Sequence, residues 1–228
     1  MHPRVVAIIQ ARMASSRLPG KVLLEISGQP MLRRVYARTL RAGRVDEVMI
    51  ATTTDPSDDA VAAYCSDLGM QHTRGSQFDV LDRYYRAASR AGADVVVRVT
   101  ADCPVIDPAL IDEAVDALLD GGFDFVANRL PPPFHRTYPI GLDVEVCTFL
   151  ALERAWADGR APVHREHVMP YLYEGVELAV QSAVLSTGVS ERGFRIGLLN
   201  HVPDLVDLRW TVDTPEDLEF VREVYQRL

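Results

Sequence analysis

Residues 5–21 read Val5-Val6-Ala7-Ile8-Ile9-Gln10-Ala11-Arg12-Met13-Ala14-Ser15-Ser16-Arg17-Leu18-Pro19-Gly20-Lys21. The opening run, Val5 to Ile9, is apolar throughout and rich in β-branched residues. A short run without polar alternation is the pattern of a strand buried on both faces, as in a parallel sheet covered by helices. The run ends at Gln10, and the stretch that follows carries Arg12, Arg17 and Lys21, the hydroxyls of Ser15 and Ser16, and no carboxylate. In open parallel sheets ligands bind outside the carboxyl ends of the strands, where this loop would lie.

Working outward, the apolar positions Met31, Leu32, Val35, Tyr36, Thr39 and Leu40 recur at helical spacing behind Pro30, with Gly43 as the stop. A strand is expected over 47–52, a helix from about Pro56 to Leu68 closed by Gly69, a strand near 70–73, a helix from about Val80 to Ala91, and a buried strand at Val95-Val96-Val97-Arg98-Val99. This alternation predicts an α/β fold with a mainly parallel, Rossmann-like sheet flanked by helices. A further helix carries Leu110, Ile111, Ala114, Val115, Leu118 and Leu119, with Asp107 as cap and Pro108 in its first position. Leu130-Pro131-Pro132-Pro133 then forbids regular helix, and roughly 129–147 reads as an insertion. Helices near 148–158 and 163–174, an irregular strand region, and a last helix from about Pro215 to Leu228 complete the chain. We expect one domain over 1–228, with an inserted acceptor and dimerisation region over approximately 129–183.

Composition narrows the function. Apolar residues at 48% and charged residues at 25% are those of a soluble globular protein. No apolar run approaches the length needed to cross a bilayer, so no membrane insertion is expected. Cys65, Cys103 and Cys147 are odd in number, widely spaced and without a CxxC pair, which argues against a disulfide framework or a zinc site and for a reducing cytoplasm. A net charge of −8 disfavours nucleic acid as a partner. Yet the first 24 residues hold Arg4, Arg12, Arg17 and Lys21 and not one acid, which points to a local site for a small anion. Three cations and two hydroxyls at a strand end suit a triphosphate.

The loop is not a P-loop, because Val22 follows Gly20-Lys21 where Ser or Thr is required, and GxGxxG is absent as well. Lys21 is the only lysine beside 23 arginines. It is either a chance survivor on a solvated loop or a site that wants a compact ammonium donor, and its company of Arg12 and Arg17 favours the second. Asp102, in Val99-Thr100-Ala101-Asp102-Cys103-Pro104, emerges at the same sheet edge; it is a turn residue or a carboxylate that meets phosphate through a metal. Asp213, in Trp210-Thr211-Val212-Asp213-Thr214-Pro215-Glu216-Asp217, is a candidate second carboxylate, with helix capping as the plainer role. Arg74, Asp79 and Asp82 follow the third strand and are either ligand contacts or caps and surface ion pairs.

The loop Ala11 to Lys21 resembles the nucleotide-binding signature of the cytidylyltransferase family that contains CMP-KDO and CMP-sialate synthetases, and it closely resembles the spore-coat polysaccharide biosynthesis protein F branch. The similarity continues through Thr73-Arg74-Gly75, Asp79-Val80-Leu81-Asp82-Arg83-Tyr84, Arg98 to Pro104, His164-Arg165-Glu166-His167-Val168 and Leu208 to Asp213. The resemblance implies a fold of the nucleotide-diphospho-sugar transferase type and transfer of CMP from CTP to a small sugar-derived or phosphorylated acceptor. It implies that Arg12, Ser15, Ser16, Arg17 and Lys21 bind CTP phosphates, with Arg12, Arg17 and Lys21 neutralising charge in the transfer, and that Asp102 and Asp213 coordinate Mg²⁺. Ala11, Arg74 and Asp102 complete the expected nucleotide contacts, and a homodimer is expected on resemblance alone. The segment Leu130 to Tyr138 departs from the acidic-sugar pocket of the KDO and sialate enzymes. His135, Arg136, Asp143, Glu145, His164, Arg165 and His167 fall in the irregular half and are the candidate acceptor-binding group. Rival readings are a sugar-1-phosphate uridylyl- or guanylyltransferase, which would read another base, and a nucleotide-sugar glycosyltransferase, whose Asp-x-Asp motif Asp102-Cys103-Pro104 lacks.

Overall fold

The apolar run becomes β1 (Val5–Gln10), the strand at which the sheet is organised. The computed structural model of the protein describes residues 2–227. After β1 come the cationic loop, a 3-10 turn over Lys21–Leu23, and a small hairpin of β2 (Glu25–Ile26) and β3 (Gln29–Pro30). Then follow α1 (Met31–Thr39), β4 (Glu47–Thr53), α2 (Asp59–Asp67), β5 (His72–Gly75), α3 (Val80–Ala91) and β6 (Val95–Thr100). The second half runs α4 (Pro108–Gly121), β7 (Phe125–Ala127), β8 (Glu145–Thr148), α5 (Phe149–Asp158), α6 (Pro162–His167), α7 (Pro170–Tyr173), β9 (Glu177–Ser182), β10 (Leu185–Val189), β11 (Arg195–Leu199) and α8 (Pro215–Arg227).

Among the described residues nine strands form one sheet in the order β5-β4-β1-β6-β8-β7-β11-β10-β9. β5, β4, β1 and β6 are mutually parallel, β8 is antiparallel to both its neighbours, and β10 opposes β11 and β9. All other strands run one way, so the mainly parallel α/β architecture expected from the alternation is the one observed.

Helices cover both faces, which is why β1 shows no polar alternation. Val5, Ala7 and Ile9 pack with Leu32 and Val35 of α1, Val61 of α2 and Leu110 of α4. Val6 and Ile8 face the opposite way, against Leu81 and Tyr84 of α3 and Leu152 of α5. Each valine, leucine or isoleucine among them contributes about 1.5–3 kcal/mol by leaving water. Asp107 caps α4 by accepting from Ala109 N at 3.0 Å, with Pro108 in the first turn as expected.

Several boundaries differ from expectation. The helix expected over 163–174 is two short helices, α6 and α7, broken at Val168, whose φ of 72° no helix accommodates. Pro30 ends β3 and α1 begins one residue later. The expected strand near 70–73 is shifted to 72–75. Residues 145–147, read as part of an insertion, belong to β8 at the centre of the sheet between β6 and β7. The expected end of the last helix at Leu228 lies outside the described residues.

The segment 200–214 returns to the carboxyl end of β6. Val212 N donates to Asp102 O at 2.9 Å, and Thr211 Oγ1 donates to the same carbonyl at 3.1 Å. A small core of Ile26, Met31, Val105, Val212, Leu218 and Val221 seats α8 and the β2–β3 hairpin there. Gly141 permits this closure: its φ is +101°, and a Cβ at that position would stand 2.3 Å from Thr211 N.

Candidate active site

Two cavities open at the carboxyl ends of β1 and β6, and they share Gln10 and Arg12. The first, about 660 Å³, is lined by Gln10, Arg12, Ala14, Ser15, Ser16, Arg17, Lys21, Val22, Thr100, Ala101, Asp102 and Asp213. The cationic loop is folded over its mouth by its own backbone. Gly20 N donates to Met13 O at 2.9 Å, made possible by a left-handed Gly20 with φ 72°. Met13 N in turn donates to the buried Asp58 at 2.6 Å, which also accepts from Thr53 Oγ1.

At the floor, the Lys21 ammonium lies 2.8 Å from Asp102 Oδ2, 2.9 Å from Asp213 Oδ1 and 2.8 Å from Val212 O. Burial by itself would lower the lysine pKa; the Asp102 and Asp213 carboxylates outweigh it and hold the ammonium above its ordinary 10.5. For Asp213, burial would raise the pKa, but hydrogen bonding from Lys21 and Arg209 and the charge of Arg17 keep it below the ordinary 3.8. Arg17 reaches Asp213 at 3.0 Å and Arg209 does so at 2.8 Å. The capping alternative for Asp213 is filled by its neighbours. Asp217 Oδ2 accepts from Asp213 N and Thr214 N at 2.9 and 3.0 Å, and Thr214 Oγ1 accepts from Asp217 N at 3.3 Å. The Asp213 side chain is thus left for the cavity.

Asp102 and Asp213 bring hard carboxylate oxygens to one point beside the cationic loop, a donor set suited to Mg²⁺. Among the described residues no group of three or more His, Cys, Asp or Glu converges as a metal cage. A pair of carboxylates fits an ion that takes its remaining ligands from phosphate and water. Cys103 offers no alternative chemistry, since burial first and the adjacent Asp102 second push its thiol well above 9.

The second cavity, about 580 Å³, lies between the end of β1, the start of α3, and α6. Gln10, Ala11, Arg12, Gln77, Phe78, Arg83, Arg98, Arg160, Arg165, Glu166 and His167 are among its walls. Arg83 is buried, donates to the carbonyls of Ser76 and Gln77, and has its pKa lowered by burial and then by Arg12. Arg98 is paired with Glu145 across β6 and β8. Arg165 holds Asp79, which also caps α3 through Asp82 N at 2.9 Å.

Of the residues singled out in the sequence, Arg12, Ser15, Ser16, Arg17, Lys21, Asp102 and Asp213 meet at the first cavity, and Ala11, Arg12, Arg165 and His167 at the second. Arg74 lines neither; its guanidinium donates to Thr53 O at 2.7 Å and pairs with Asp59 at 2.7 Å beside a separate cleft. Asp82 is engaged by Arg86 at 2.6 Å and by Trp156 Nε1 at 2.9 Å. Arg136 and Asp143 bond to one another at 2.6 and 2.9 Å, and the exposed His135 pairs with Asp204 at 2.5 Å. His164 is buried and bonds to Glu174 at 2.9 Å. Glu145 faces the second cavity only through its partner Arg98. The cavities are also lined by Gln10 and Thr100, the polar ends of two apolar strands, and by Phe78, Arg83, Arg98 and Arg160, none of which is among the sequence candidates. Only the first two carried a sequence signal, polarity where a buried strand stops.

Comparison with known proteins accords with this geometry. The cytidylyltransferase family profile matches residues 6–227. The chain is 44% identical to the 3-deoxy-manno-octulosonate cytidylyltransferase of Geobacter sulfurreducens over 96% of its own length and 98% of that protein. It is 29% identical to the spore coat polysaccharide biosynthesis protein SpsF of Bacillus subtilis, covering 98% of this chain and 87% of that one. A cytidylyltransferase structure from Leptospira borgpetersenii superposes with a TM-score of 0.83 at 31% identity, over all of this chain and 88% of the other. With the signature loop and both aspartates on one cavity, and a match that runs nearly end to end, the chain belongs to the cytidylyltransferase family of nucleotidyltransferases.

Proposed function

We propose that the protein transfers CMP from CTP to a small sugar-derived acceptor, in a Mg²⁺-dependent reaction that releases pyrophosphate and serves surface polysaccharide biosynthesis. The observation that carries this is the meeting of Arg12, Ser15, Ser16, Arg17 and Lys21 with Asp102 and Asp213 at one cavity. The triphosphate lies in that cavity, with the serine hydroxyls and the cations against its oxygens. The acceptor occupies the second cavity, and Arg12, common to both, sits where the two substrates meet.

An acceptor oxygen attacks the α-phosphorus in line. The new O–P bond forms as the bond to the bridging oxygen of the β-phosphate breaks, pyrophosphate leaves, and an acceptor hydroxyl loses its proton to water. Charge gathers on the leaving phosphates, where Arg12, Arg17 and Lys21 neutralise it without rearranging solvent. Mg²⁺, held by Asp102 and Asp213, supplies Lewis-acid charge stabilisation to the phosphate oxygens when bound. No covalent enzyme intermediate is needed, because positioning and electrostatics account for most of the catalysis in this class of reaction. Arg165 and His167 at the far wall of the second cavity orient the acceptor.

The relatives' names support a sugar acid as one acceptor to try, and the SpsF match supports a polysaccharide route. We further propose a cytoplasmic homodimer. Among the described residues no helix is long and apolar enough to cross a membrane. The test is a pyrophosphate-release screen with each of the four NTPs and Mg²⁺ against sugar acids, amino sugars and sugar phosphates, with Lys21→Ala and Asp102→Ala as controls. Acceptor-dependent release with CTP alone, absent in both variants, is expected; release with another NTP would overturn the cytidylyl assignment. Light scattering after gel filtration checks the dimer.

A further inference from the structure

The only lysine of the chain has all three ammonium protons committed, to Asp102, Asp213 and Val212 O. In this arrangement the ammonium stands at the point where the two carboxylates converge, and it has no proton left for a phosphate. A divalent cation brought to the same point would meet a fixed positive charge at contact distance. We infer that Lys21 is a placeholder cation: in the nucleotide-free protein it neutralises the Asp102–Asp213 pair and shuts out divalent metal, and an arriving triphosphate draws it away and opens the pair.

Three features fit that exchange. A lysine is a compact charge on a flexible four-carbon stem, able to move between partners where the planar fork of arginine is not. The carboxylates keep their spacing when it leaves, because Asp102 O is bonded to Val212 N and to Thr211 Oγ1. Asp213 also retains Arg209 at 2.8 Å, so the pair is not left bare during the handover. With no third metal-binding side chain at hand among the described residues, the ion gains its remaining ligands only when phosphate oxygens are present. Metal binding is therefore ordered after, or together with, nucleotide. The inference rests on the reading of the first cavity as the triphosphate site.

The test uses Mn²⁺ as probe, followed by electron paramagnetic resonance, on nucleotide-free wild type and Lys21→Met. The variant is expected to bind about one equivalent of Mn²⁺ at least about tenfold more tightly than wild type, the usual size of coupling between linked sites. Adding Asp102→Asn to the variant removes that binding, and a CTP analogue with a methylene between the α and β phosphorus restores Mn²⁺ binding to wild type. Equal Mn²⁺ affinity of wild type and Lys21→Met without nucleotide overturns the inference. Should the variant not fold, wild type labelled with ¹⁵N-lysine decides, since its side-chain amine gives one resonance. The analogue added without metal must shift that signal, and an unmoved signal with the analogue bound by calorimetry overturns the inference. Failure of any nucleotide analogue to bind would sink the triphosphate reading instead, and the nucleotide-free Mn²⁺ comparison would still decide the placeholder.

Discussion

Replacing Asp213 by Asn removes one negative charge from beneath three cations while keeping the shape of the side chain. Its Oδ1 is 2.9 Å from Lys21 Nζ, and both side chains are largely buried, at 17% and 11% exposure. At an effective dielectric near 20 the gross attraction is roughly 6 kcal/mol, most of it offset by desolvation of both ions. What the variant loses is the compensation of Lys21, which then has Asp102 as its one anionic partner. Arg17 and Arg209 are more exposed and add about 0–1 kcal/mol each. We expect Asp213→Asn to lose about 2–4 kcal/mol of stability at neutral pH by urea unfolding. The pH dependence follows from the sign of the shift. The folded-state pKa of Asp213 is depressed, so its contribution is fully present above the ordinary 3.8 and is lost as pH falls through the lower folded value. The gap between wild type and variant should therefore be constant from pH 8 to about 5 and close in stronger acid. A double-mutant cycle with Lys21→Met should return a coupling of about 0.5–3 kcal/mol. A stability loss under about 0.5 kcal/mol, or zero coupling, would refute the reasoning.

Arg17→Ala removes a cation that is 59% exposed, so it should leave the melting temperature nearly unchanged while lowering kcat/KM for CTP about tenfold in steady-state assays. Gly141→Ala forces a Cβ against Thr211 N and a side chain into a φ of +101°. A loss of about 2–4 kcal/mol is expected by thermal or urea melts, with a weakened Asp102–Asp213 site as its accompaniment. Cys103 and Cys147, both buried with thiols pushed up, should resist iodoacetamide at pH 8 in the folded protein and react only in urea, counted by mass spectrometry.

How far the residues alone lead differs along the chain. β1, β4 and β6 were readable because each is a short run buried on both faces, and helix α4 because Asp107 and Pro108 mark its start and apolar residues recur along it. β8 was not readable. Its four residues, Glu145 to Thr148, carry no pattern that separates them from the proline-rich segment before them, and their place between β6 and β7 comes from pairing distant in sequence. α6 and α7 were likewise not separable by apolar periodicity, since α6 is largely polar, and the break at Val168 is a backbone event that such periodicity does not record. Among site residues, Arg12, Arg17 and Lys21 announced themselves by charge in an acid-free stretch. Arg83 and Arg98 looked like ordinary helix and strand residues, and only packing turned them toward a cavity.

The sequence by itself determined the sheet class, the edge at which the first cavity opens and the cations that line it, because burial period and local charge are written in neighbouring residues. The tertiary structure decided which carboxylates join them. Asp102 and Asp213 are separated by about half the chain, and they meet because segment 200–214 bonds back onto the end of β6 past Gly141. It also decided that the lone lysine lies between them, since a three-way contact among distant residues depends on chain closure and has no local signature.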